Sequence, residues 1–395
     1  MTINANIWKL YVIKASKWLM LFMPIIWLFY KENGLDVSDL FLIQGIYSFT
    51  IAVIEIPSGY VADVLGRKNS LIIGTFFGVV GMIIYSFSFG FEGFLFAALS
   101  LGIGQSFLSG SDTALMYDSL VELNRSKDFI KFEGRTISMG NLAEAAAGFI
   151  GAYFLTQSSY RTPFYYQIGI AAIGFFVALT LVEPSSQKIE NGKSKPWKNI
   201  KNIIRYALYE KPTLRLCILY SSIMGTATLT IAWFSQPLLD FLEIEGKYNG
   251  LIFGVLNLAV AATAYFAHYI EEKINTKIIL VGILILITSS YFVLYWKLAI
   301  WSLAILFFFY LVRGIATPIL RDYQNRFTPS EMRATVMSIR SFIIRILFSI
   351  VSPMIGYIAE VYTLQQAFLL SGGLFLFLGS LTLLFLLKKQ ITPIN

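Results

Sequence analysis

The sequence is poor in charge and in the side chains on which most enzymes and metal sites depend. Only 14% of its 395 residues are Asp, Glu, Lys or Arg, whereas soluble proteins average about a quarter. The single cysteine, Cys217, excludes an internal disulfide, and the single histidine, His268, excludes a His-rich metal site. One cysteine and one histidine, which lie in different apolar segments, do not provide the residues for thiol–imidazole or His-metal chemistry. We therefore expect no enzyme, no bound metal and no cofactor.

Apolar residues dominate what remains. Hydrophobic side chains make up 56% of the chain, aromatic residues 16%, and the mean hydropathy is +0.68. A membrane-spanning helix needs about 20 mostly apolar residues, and the sequence contains twelve such runs. The predicted fold class is therefore an all-α membrane protein with twelve transmembrane helices. We predict spans at residues 8–30, 38–62, 70–90, 93–120, 136–157, 163–182, 213–239, 248–270, 277–296, 299–323, 335–359 and 364–387.

One long polar segment, from Glu183 to Pro212, divides these spans into two sets of six. This division predicts an N-terminal six-helix bundle at residues 1–182, a cytoplasmic linker at 183–212 and a C-terminal six-helix bundle at 213–395. Within the linker, residues 197–209 have the pattern of an amphipathic helix on the membrane surface, and a solvated linker is the alternative.

The two sets of spans resemble repeats of one another. Gly110 and Asp118 in span four are eight positions apart, and so are Gly314 and Asp322 in span ten, 204 positions later. Tyr60 to Asp63 finds a partner in the segment from Tyr265 to His268 at nearly the same offset. A repeated spacing of this kind predicts two structurally equivalent halves.

Basic residues predict the orientation of the spans. With both termini in the cytoplasm, 24 Lys and Arg residues lie on or near cytoplasmic segments and four lie on outer segments, as the positive-inside rule requires. This topology accounts for the net charge of +8 without a nucleic-acid partner. We expect a multi-pass protein of the bacterial cytoplasmic (inner) membrane, whose partners are lipid and a small-molecule substrate. Nothing in the sequence demands more than a monomer.

The loop between predicted spans two and three carries the most specific pattern in the chain. It contains Gly59, Asp63, Gly66, Arg67 and Lys68 at the spacing G-x-x-x-D-x-x-G-R-K. Gly59 would let a neighbouring helix approach closely, Gly66 would supply backbone freedom in a tight turn, and the two basic residues would hold the turn in the cytoplasm. The pattern resembles the signature loop of the major facilitator superfamily, which lies between the same two spans.

This resemblance implies a fold and a mode of action. The fold would be two pseudo-symmetric six-helix bundles around a central cavity, lined by spans one, four, seven and ten. The mode of action would be alternating access, in which Asp63, Arg67 and Asp118 form a charge cluster that closes the inner gate. A purely structural lock of the loop is the alternative.

The placement of charges gives an independent indication of the same arrangement. Spans three, six, nine and twelve have no ionisable residue in their interiors, so these spans are predicted to face lipid. The mid-span charges should face protein or a water-filled cavity instead. They are Glu55 in span two, Asp112 in span four, Glu144 in span five, Arg313 in span ten, and Arg340 and Arg345 in span eleven.

Span four offers the candidate substrate site. Asp112 lies on one helical stripe with Gln105 and Ser109, at spacings of seven and three residues. The hypothesis is a cavity-facing polar stripe in which Asp112 binds a proton or a cation. The alternative is a structural pair between Asp112 and an arginine of the other half.

Two further carboxylates are candidates for proton coupling. Glu55 could carry protons or could hydrogen-bond span two to span eleven. Glu144 lies among Gly140, Gly148 and Gly151 in span five, where small residues allow tight helix contact. This region weakly resembles the span-five motif of the superfamily's antiporters, G-P-x-x-G-G, but its proline is missing.

The remaining candidates are residues that could contact a substrate directly. Arg313 would bind an anionic group of the substrate or pair with Asp112, whereas Arg340 and Arg345 are expected to pair with Glu55 or Glu144. Trp27, Trp233 and Gln236 could stack on or hydrogen-bond a substrate, and simple packing is the alternative for them.

Taken together, these features predict a proton-coupled secondary transporter similar to the drug/proton antiporters of the superfamily. We expect it to export amphipathic drug-like or metabolic compounds. The alternative is a proton-coupled importer of an anionic solute or a metal chelate such as a siderophore. A transport-dead sensor that keeps the fold is a further possibility. The sequence does not identify the substrate.

Overall fold

The computed structural model describes residues 2–154, 159–184, 202–329 and 332–388. These residues form α-helices with short 3₁₀ and π turns, and none of them lies in a β-strand. The helices are α1 (Ala5–Trp18), α2 (Ile26–Glu32), α3 (Val37–Leu65), α4 (Arg67–Phe87), α5 (Phe91–Leu108), α6 (Ser111–Glu122), α7 (Phe129–Phe149), α8 (Thr162–Leu179), α9 (Pro212–Phe241), α10 (Asn249–Lys273), α11 (Thr276–Trp296), α12 (Ser302–Arg326), α13 (Arg333–Val361) and α14 (Leu364–Lys388).

Within the described residues, eleven helical segments are long and apolar enough to cross a membrane. Helix α7, which occupies the place of the predicted fifth span, is not among the eleven. Lys131, Glu133 and Arg135 lie in its first two turns and lower its hydropathy. The all-α membrane fold expected from the sequence is confirmed.

The polar segment after α8 is described only in part. Residues 197–201 of the predicted amphipathic helix lie outside the described residues. Residues 202–205 are helical and lead into a π turn, Tyr206–Glu210, directly before α9. Arg205 Nε and Glu210 Oε1 lie 3.0 Å apart on this segment, and both side chains are largely exposed.

Two compact units divide the chain. The first comprises Met1–Asp36, Ile46–Ser194 and Ile244–Gly254, and the second comprises Val37–Gly45, Lys195–Glu243 and Val255–Asn395. The beginning of α3 therefore belongs to the second unit, and the beginning of α10 belongs to the first. The division into domains at residues 182 and 213 stays a prediction.

In the first unit, α4 packs against α5 and α8, and α1 packs against α7 and α8. The core between them is aromatic: the rings of Phe29, Tyr30, Tyr85, Phe94 and Phe164 are fully buried and contact one another. The hydroxyl groups of Tyr30 and Tyr85 share a hydrogen bond of 2.5 Å, which satisfies both inside this apolar environment.

A buried arginine closes one end of α4. Arg161 donates hydrogen bonds of 2.8 Å to the backbone oxygens of Ser86 and Ser88, and its guanidinium lies 4.9 Å from the ring centre of Phe29. Burial lowers the pKa of Arg161 from its usual value. The positive charge lies at the C-terminal end of α4, where the helix dipole favours it.

In the second unit, α9 packs against α12, α13 and α14, and α11 packs against α12 and α14. Tyr220 and Tyr291 are fully buried between these helices and donate hydrogen bonds of 2.6 Å to the backbone oxygens of Leu280 and Ala227. The two long helices α9 and α11 are thus held to each other by tyrosine hydroxyls that reach backbone carbonyls.

Predicted spans one and four are broken helices, which the sequence analysis did not anticipate. Span one consists of α1 and α2, separated by residues 19–22 and one 3₁₀ turn, Met23–Ile25. Span four consists of α5 and α6, separated by Ser109 and Gly110. Their counterparts in the second unit, α9 and α12, run without a break over 30 and 25 residues.

Each break has a local cause and a partner for its freed backbone. Gly110 lies in the left-handed region with φ +77°, which glycine adopts without strain. In the break of span one, the backbone N–H of Leu21 donates to Oε1 of the buried Gln167 at 2.9 Å. Irregular backbone at membrane depth is tolerated where protein groups satisfy it in this way.

Candidate functional site

An ion pair joins the two broken spans of the first unit. Asp112 is the second residue of α6, directly after the break, and its Oδ2 lies 2.9 Å from Nζ of Lys14 on α1. Asp112 Oδ1 also accepts a hydrogen bond of 2.8 Å from the backbone N–H of Thr113. The two charged side chains are 13% and 17% exposed, so most of the surface of the ion pair is covered by protein.

Lys14 is not the only cation near this carboxylate. Lys17, one turn further along α1, adds a second positive charge to the surroundings of Asp112. Thr113 Oγ1 donates to Glu133 Oε1 on α7 at 3.1 Å, which extends the polar network to a third helix. The positive charges of two lysines and the backbone N–H of Thr113 therefore act on the carboxylate of Asp112.

A second carboxylate lies beside the same break. Ser109 Oγ donates to Glu55 Oε1 on α3 at 3.1 Å, and Ser109 is exposed. Among the described residues of the first unit, no basic side chain lies within ion-pair distance of Glu55. Two carboxylates thus lie beside the break between α5 and α6. Asp112 is paired with Lys14, whereas Glu55 has no cation within ion-pair distance among the described residues of the first unit.

The predicted stripe of Gln105, Ser109 and Asp112 is wrong in its geometry. The backbone oxygen of Gln105, in the last turn of α5, accepts a hydrogen bond of 3.0 Å from the backbone N–H of Ser109. Asp112 belongs to the next helix, α6. The spacing of seven and three residues assumed one continuous helix, and Gly110 interrupts it. Ser109 and Asp112 still lie near each other, because the break is only two residues long.

The signature loop forms a compact charged cluster at the junction of α3 and α4. Gly66 has φ +95°, which confirms its expected backbone role. Arg67 forms an ion pair with Asp118 on α6 and donates a hydrogen bond of 2.7 Å to the backbone oxygen of Ala114. Both charged side chains are mostly buried, so the pair fixes the start of α4 to α6.

Other predicted residues of this loop have different outcomes. The side chain of Asp63 lies outside the part of the chain that the structure describes. For Gly59, the close helix approach expected from the sequence is wrong, because no atom of the described residues lies within 4 Å of a Cβ built there. Lys68 takes part in the cluster through its backbone N–H.

Glu183 completes the cluster, and the sequence analysis did not identify it. Its Oε1 accepts the backbone N–H of Arg67 at 2.9 Å, and its Oε2 accepts that of Lys68 at 2.7 Å. A carboxylate at a helix N-terminus satisfies free donors and complements the helix dipole. A Cβ on Gly66 would lie 2.9 Å from the carboxylate, so only glycine leaves room for this contact. The single sequence signal was an acid directly after the sixth span.

The second unit has an ion-pair cluster at the corresponding end of α12. Arg326 pairs with Glu271 on α10 and with Asp322 on its own helix, where Arg326 Nε lies 2.6 Å from Asp322 Oδ2. His268 Nε2 lies 3.0 Å from Glu272 Oε1, and both side chains are exposed. Asp322 is the repeat counterpart of Asp118. Its partner Arg326 lies on the same helix, α12, whereas Arg67, the partner of Asp118, lies on a different helix, α4.

The remaining predicted residues differ in their surroundings and in their exposure. Arg313 on α12 lies 5.6 Å from the ring centre of Tyr310. Trp27 on α2 and Gln236 on α9 are buried, whereas Trp233 on α9 and Glu144 on α7 are half-buried. Among the described residues, no cluster of His, Cys, Asp and Glu could hold a metal ion.

Eleven helical segments among the described residues that are long and apolar enough to cross a membrane define, as a class, a multi-pass helical membrane protein. The family model of the Major Facilitator Superfamily matches residues 15–353 of the chain. The chain therefore belongs to the major facilitator superfamily, as its loop signature indicated, and it is an integral, multi-pass membrane protein.

Two relatives of known sequence are similar over most of the chain. The quinolone resistance protein NorA of Staphylococcus aureus is 20% identical over 303 residues, which cover 75% of this chain and 76% of NorA. The uncharacterized MFS-type transporter YxaM of Bacillus subtilis is 23% identical over 363 residues, which cover 89% of each protein.

Solved structures share the fold. The nucleoside transporter NupG superposes with a TM-score of 0.79 at 14% identity, covering 99% of this chain and 100% of NupG. The D-xylose-proton symporter superposes with a TM-score of 0.73 at 14% identity, covering 99% of each chain. At this level of identity the likeness concerns the fold alone.

Proposed function

We propose that this protein is a proton-coupled exporter of amphipathic drug-like or metabolic compounds that works by alternating access. The observation that carries the proposal is the shielded Lys14–Asp112 ion pair at the breaks of spans one and four, with Glu55 beside it. The similarity to a quinolone resistance protein supports an exporter of amphipathic compounds.

The proposed coupling follows from the charges of the site. When Asp112 is ionised, it holds Lys14 and is closed to a further cation. Protonation of Asp112 would neutralise the carboxylate and free Lys14, so α1 and α6 would lose their ion pair, although the hydrogen bond from Asn6 to Ser119 would still join them. Glu55 would pass the proton, since Ser109 connects it to the same segment. Glu144 is proposed as a further protonatable group on the neighbouring α7.

The substrate is proposed to bind among polar and aromatic side chains of the cavity-lining spans. The proposed contact residues are Asp112, Gln105, Ser109, Trp27, Trp233, Gln236 and Arg313. The gate is proposed to consist of Asp63, Gly66, Arg67, Lys68 and Asp118. The proton gradient would supply the energy, with no cofactor, in a monomer of the bacterial cytoplasmic membrane with both termini in the cytoplasm.

A second candidate is import of an anionic solute or a metal chelate. It is favoured by the arginines of the second unit, of which Arg313, Arg340 and Arg345 have no carboxylate within ion-pair distance among the described residues of that unit. The missing proline of the antiporter motif in span five also favours it.

Transport by the purified protein in proteoliposomes tests the proposal. With an imposed proton gradient, we expect movement of a quinolone or of an amphipathic cationic dye by the wild type and none by Asp112→Asn. The matched control is Asp128→Asn, whose partner Arg125 and own carboxylate are both exposed. Equal transport by wild type and Asp112→Asn would contradict the assigned site. Proton-driven uptake of organic anions alone would favour the importer.

A further inference from the structure

The second unit buries a cation that its own residues do not neutralise. Arg340 on α13 is only 8% exposed. Its Nε donates to the hydroxyl of Ser221 on α9, which is fully buried. Within the described residues, Nη1 and Nη2 of Arg340 donate no hydrogen bond, and no carboxylate lies within ion-pair distance of this side chain. The four N–H groups of Nη1 and Nη2 thus have no protein acceptor among the described residues of the second unit.

The surroundings of Arg340 add positive rather than negative charge. Arg321 on α12 acts on Arg340 as a second cation. Nε of Arg345, on the same helix as Arg340, is also buried and without a hydrogen-bond partner. The facing side of α9 presents the hydroxyl groups of Ser221 and Ser222 together with Gly225, which carry no charge.

The acids of these helices are too distant or already paired. Glu360 lies twenty residues from Arg340 on α13, which corresponds to roughly 30 Å along a helix, and it accepts the backbone N–H of Val37. Asp322 pairs with Arg326. Asp240 lies at the opposite end of α9 from Ser221. The second unit thus holds a buried cation at a distance from its carboxylates.

A buried charge persists in a membrane protein only where a partner or water-filled space offsets its cost. Gly225 lets α9 lie close to Arg340, since a Cβ there would lie 3.4 Å from Nη2 of the arginine and 2.7 Å from Cδ1 of Ile344. A guanidinium with its Nε held by a serine presents both terminal nitrogens as a fixed fork. This fork matches a carboxylate or a phosphate, which accepts two parallel hydrogen bonds.

We propose that Arg340, positioned by Ser221 and beside Gly225, is an oxyanion-binding residue of the second unit that binds a carboxylate or phosphate group of the transported solute. Arg321 and Arg345 add positive potential to the site. The inference deepens the proposed function, and it rests on that function for the claim that the bound anion is transported. Its test measures binding without transport, so a failure of the anion site and a failure of the transport proposal remain distinguishable.

The test is ligand-dependent thermal unfolding of the purified full chain in neutral detergent. The probes are benzoate and inorganic phosphate, each compared with chloride at equal ionic strength. We expect a saturable rise of the melting temperature in the wild type with at least one probe. The rise should be lost in Arg340→Gln and should require about tenfold more probe in Arg340→Lys, because an ammonium keeps the charge but not the fork.

The matched control is Arg326→Gln, which removes an arginine already paired with Glu271 and Asp322 and should keep the full rise. Arg340→Lys also serves if Arg340→Gln does not fold. A second arm places the protein in nanodiscs of phosphatidylcholine with or without phosphatidylglycerol. Stabilisation by phosphatidylglycerol alone, lost in Arg340→Gln, identifies a lipid phosphate as the source of the oxyanion. Equal responses of the wild type and the Arg340 variants in both arms overturn the proposal.

Discussion

The two units place their charges in opposite ways although their sequences resemble repeats. In the first unit, the first and fourth spans are broken, and Lys14 and Asp112 pair at the breaks. In the second unit, α9 and α12 are continuous, and Arg340 remains buried without an acid of its own unit among the described residues. Our two proposals therefore assign proton coupling to the first unit and binding of an anionic group to the second.

The ion-pair clusters at the helix ends show the same rearrangement on a smaller scale. In the first unit, the arginine lies at the start of α4 and the aspartate on α6. In the second unit, the arginine lies on α12 beside the aspartate, and the acid on the neighbouring helix is Glu271. Both clusters tie the end of a fourth-span helix to its neighbour. The signature pattern is thus lost from the sequence of the second unit, yet an ion-pair cluster is retained there. In this cluster the arginine lies on the fourth-span helix and pairs with an acid on the neighbouring helix, which is the reverse of the first unit.

Gly110 and Gly314, eight residues before Asp118 and Asp322, give the sharpest test of this comparison. Gly110 has φ +77° and open space around it, whereas a Cβ on Gly314 would lie 2.6 Å from the backbone oxygen of Val260. We expect Gly314→Asn to destabilise the protein by about 3 kcal/mol through overpacking. Gly110→Asn should cost less than about 1 kcal/mol, because asparagine tolerates the left-handed region. SDS-induced unfolding in mixed micelles measures both.

Equal losses of stability in Gly110→Asn and Gly314→Asn would contradict this prediction. The difference between a broken and a continuous helix would then not determine how each glycine tolerates a side chain. Gly78→Ala is the control, since Gly78 lies within α4 with no atom within 4 Å of an added Cβ. Alanine there should be neutral or slightly stabilising.

The break of span one predicts the next largest effect. Gln167→Leu keeps the size of the side chain but leaves the backbone N–H of Leu21 without its acceptor. An unsatisfied buried donor costs about 1–3 kcal/mol, so a loss of this size is expected in the same unfolding measurement. Gln366→Ala, at an exposed glutamine of α14, should change little. A neutral Gln167→Leu would mean that the break does not depend on this contact.

The two ion-pair clusters predict unequal effects on transport. Arg67→Gln should slow transport about tenfold with unchanged apparent substrate affinity, because it weakens a shielded contact between α4 and α6 rather than a binding site. Arg326→Gln should slow it about twofold at most, since Arg326 is 39% exposed and exposed pairs contribute little. Initial rates over a range of substrate concentrations separate the two parameters. A large loss of affinity in Arg67→Gln would contradict a gating role.

The carboxylate cap of α4 predicts the smallest effect. Glu183→Ala removes the acceptor of the backbone N–H groups of Arg67 and Lys68. The loss of a helix cap costs about 1 kcal/mol, which a modest fall of the melting temperature would report. Glu210→Ala, which removes an exposed acid near α9, is the control. An equal fall of the melting temperature in Glu183→Ala and Glu210→Ala would contradict the role of Glu183 as the cap of α4.

The fold could be predicted from the sequence because its signals are local. Runs of apolar residues mark the spans, and the signature from Gly59 to Lys68 marks the family at the place where the family carries it. The role of Gly66 was also predictable, since a turn between two helices needs a residue that accepts positive φ.

The site could be predicted only in part because its contacts join distant segments. Asp112 and Glu55 were recognised as costly charges, but no pattern in the sequence pointed to Lys14 as the partner of Asp112. The break of span one lies in apolar residues without glycine, and its acceptor, Gln167, is 146 positions away. Glu183 lies 116 positions from Arg67 and was assigned to the linker. Hydropathy and spacing do not report contacts at such separations.

Proton movement in proteoliposomes tests the central claim most directly, namely that the ion pair at the broken spans couples protons to transport. An internal pH-sensitive dye is read while substrate is added to vesicles without an imposed pH gradient. For the wild type, we predict a pH change that follows substrate movement, and for Asp112→Asn we predict none, with Asp128→Asn behaving as the wild type. Substrate-driven proton movement of wild-type size in Asp112→Asn would contradict the account.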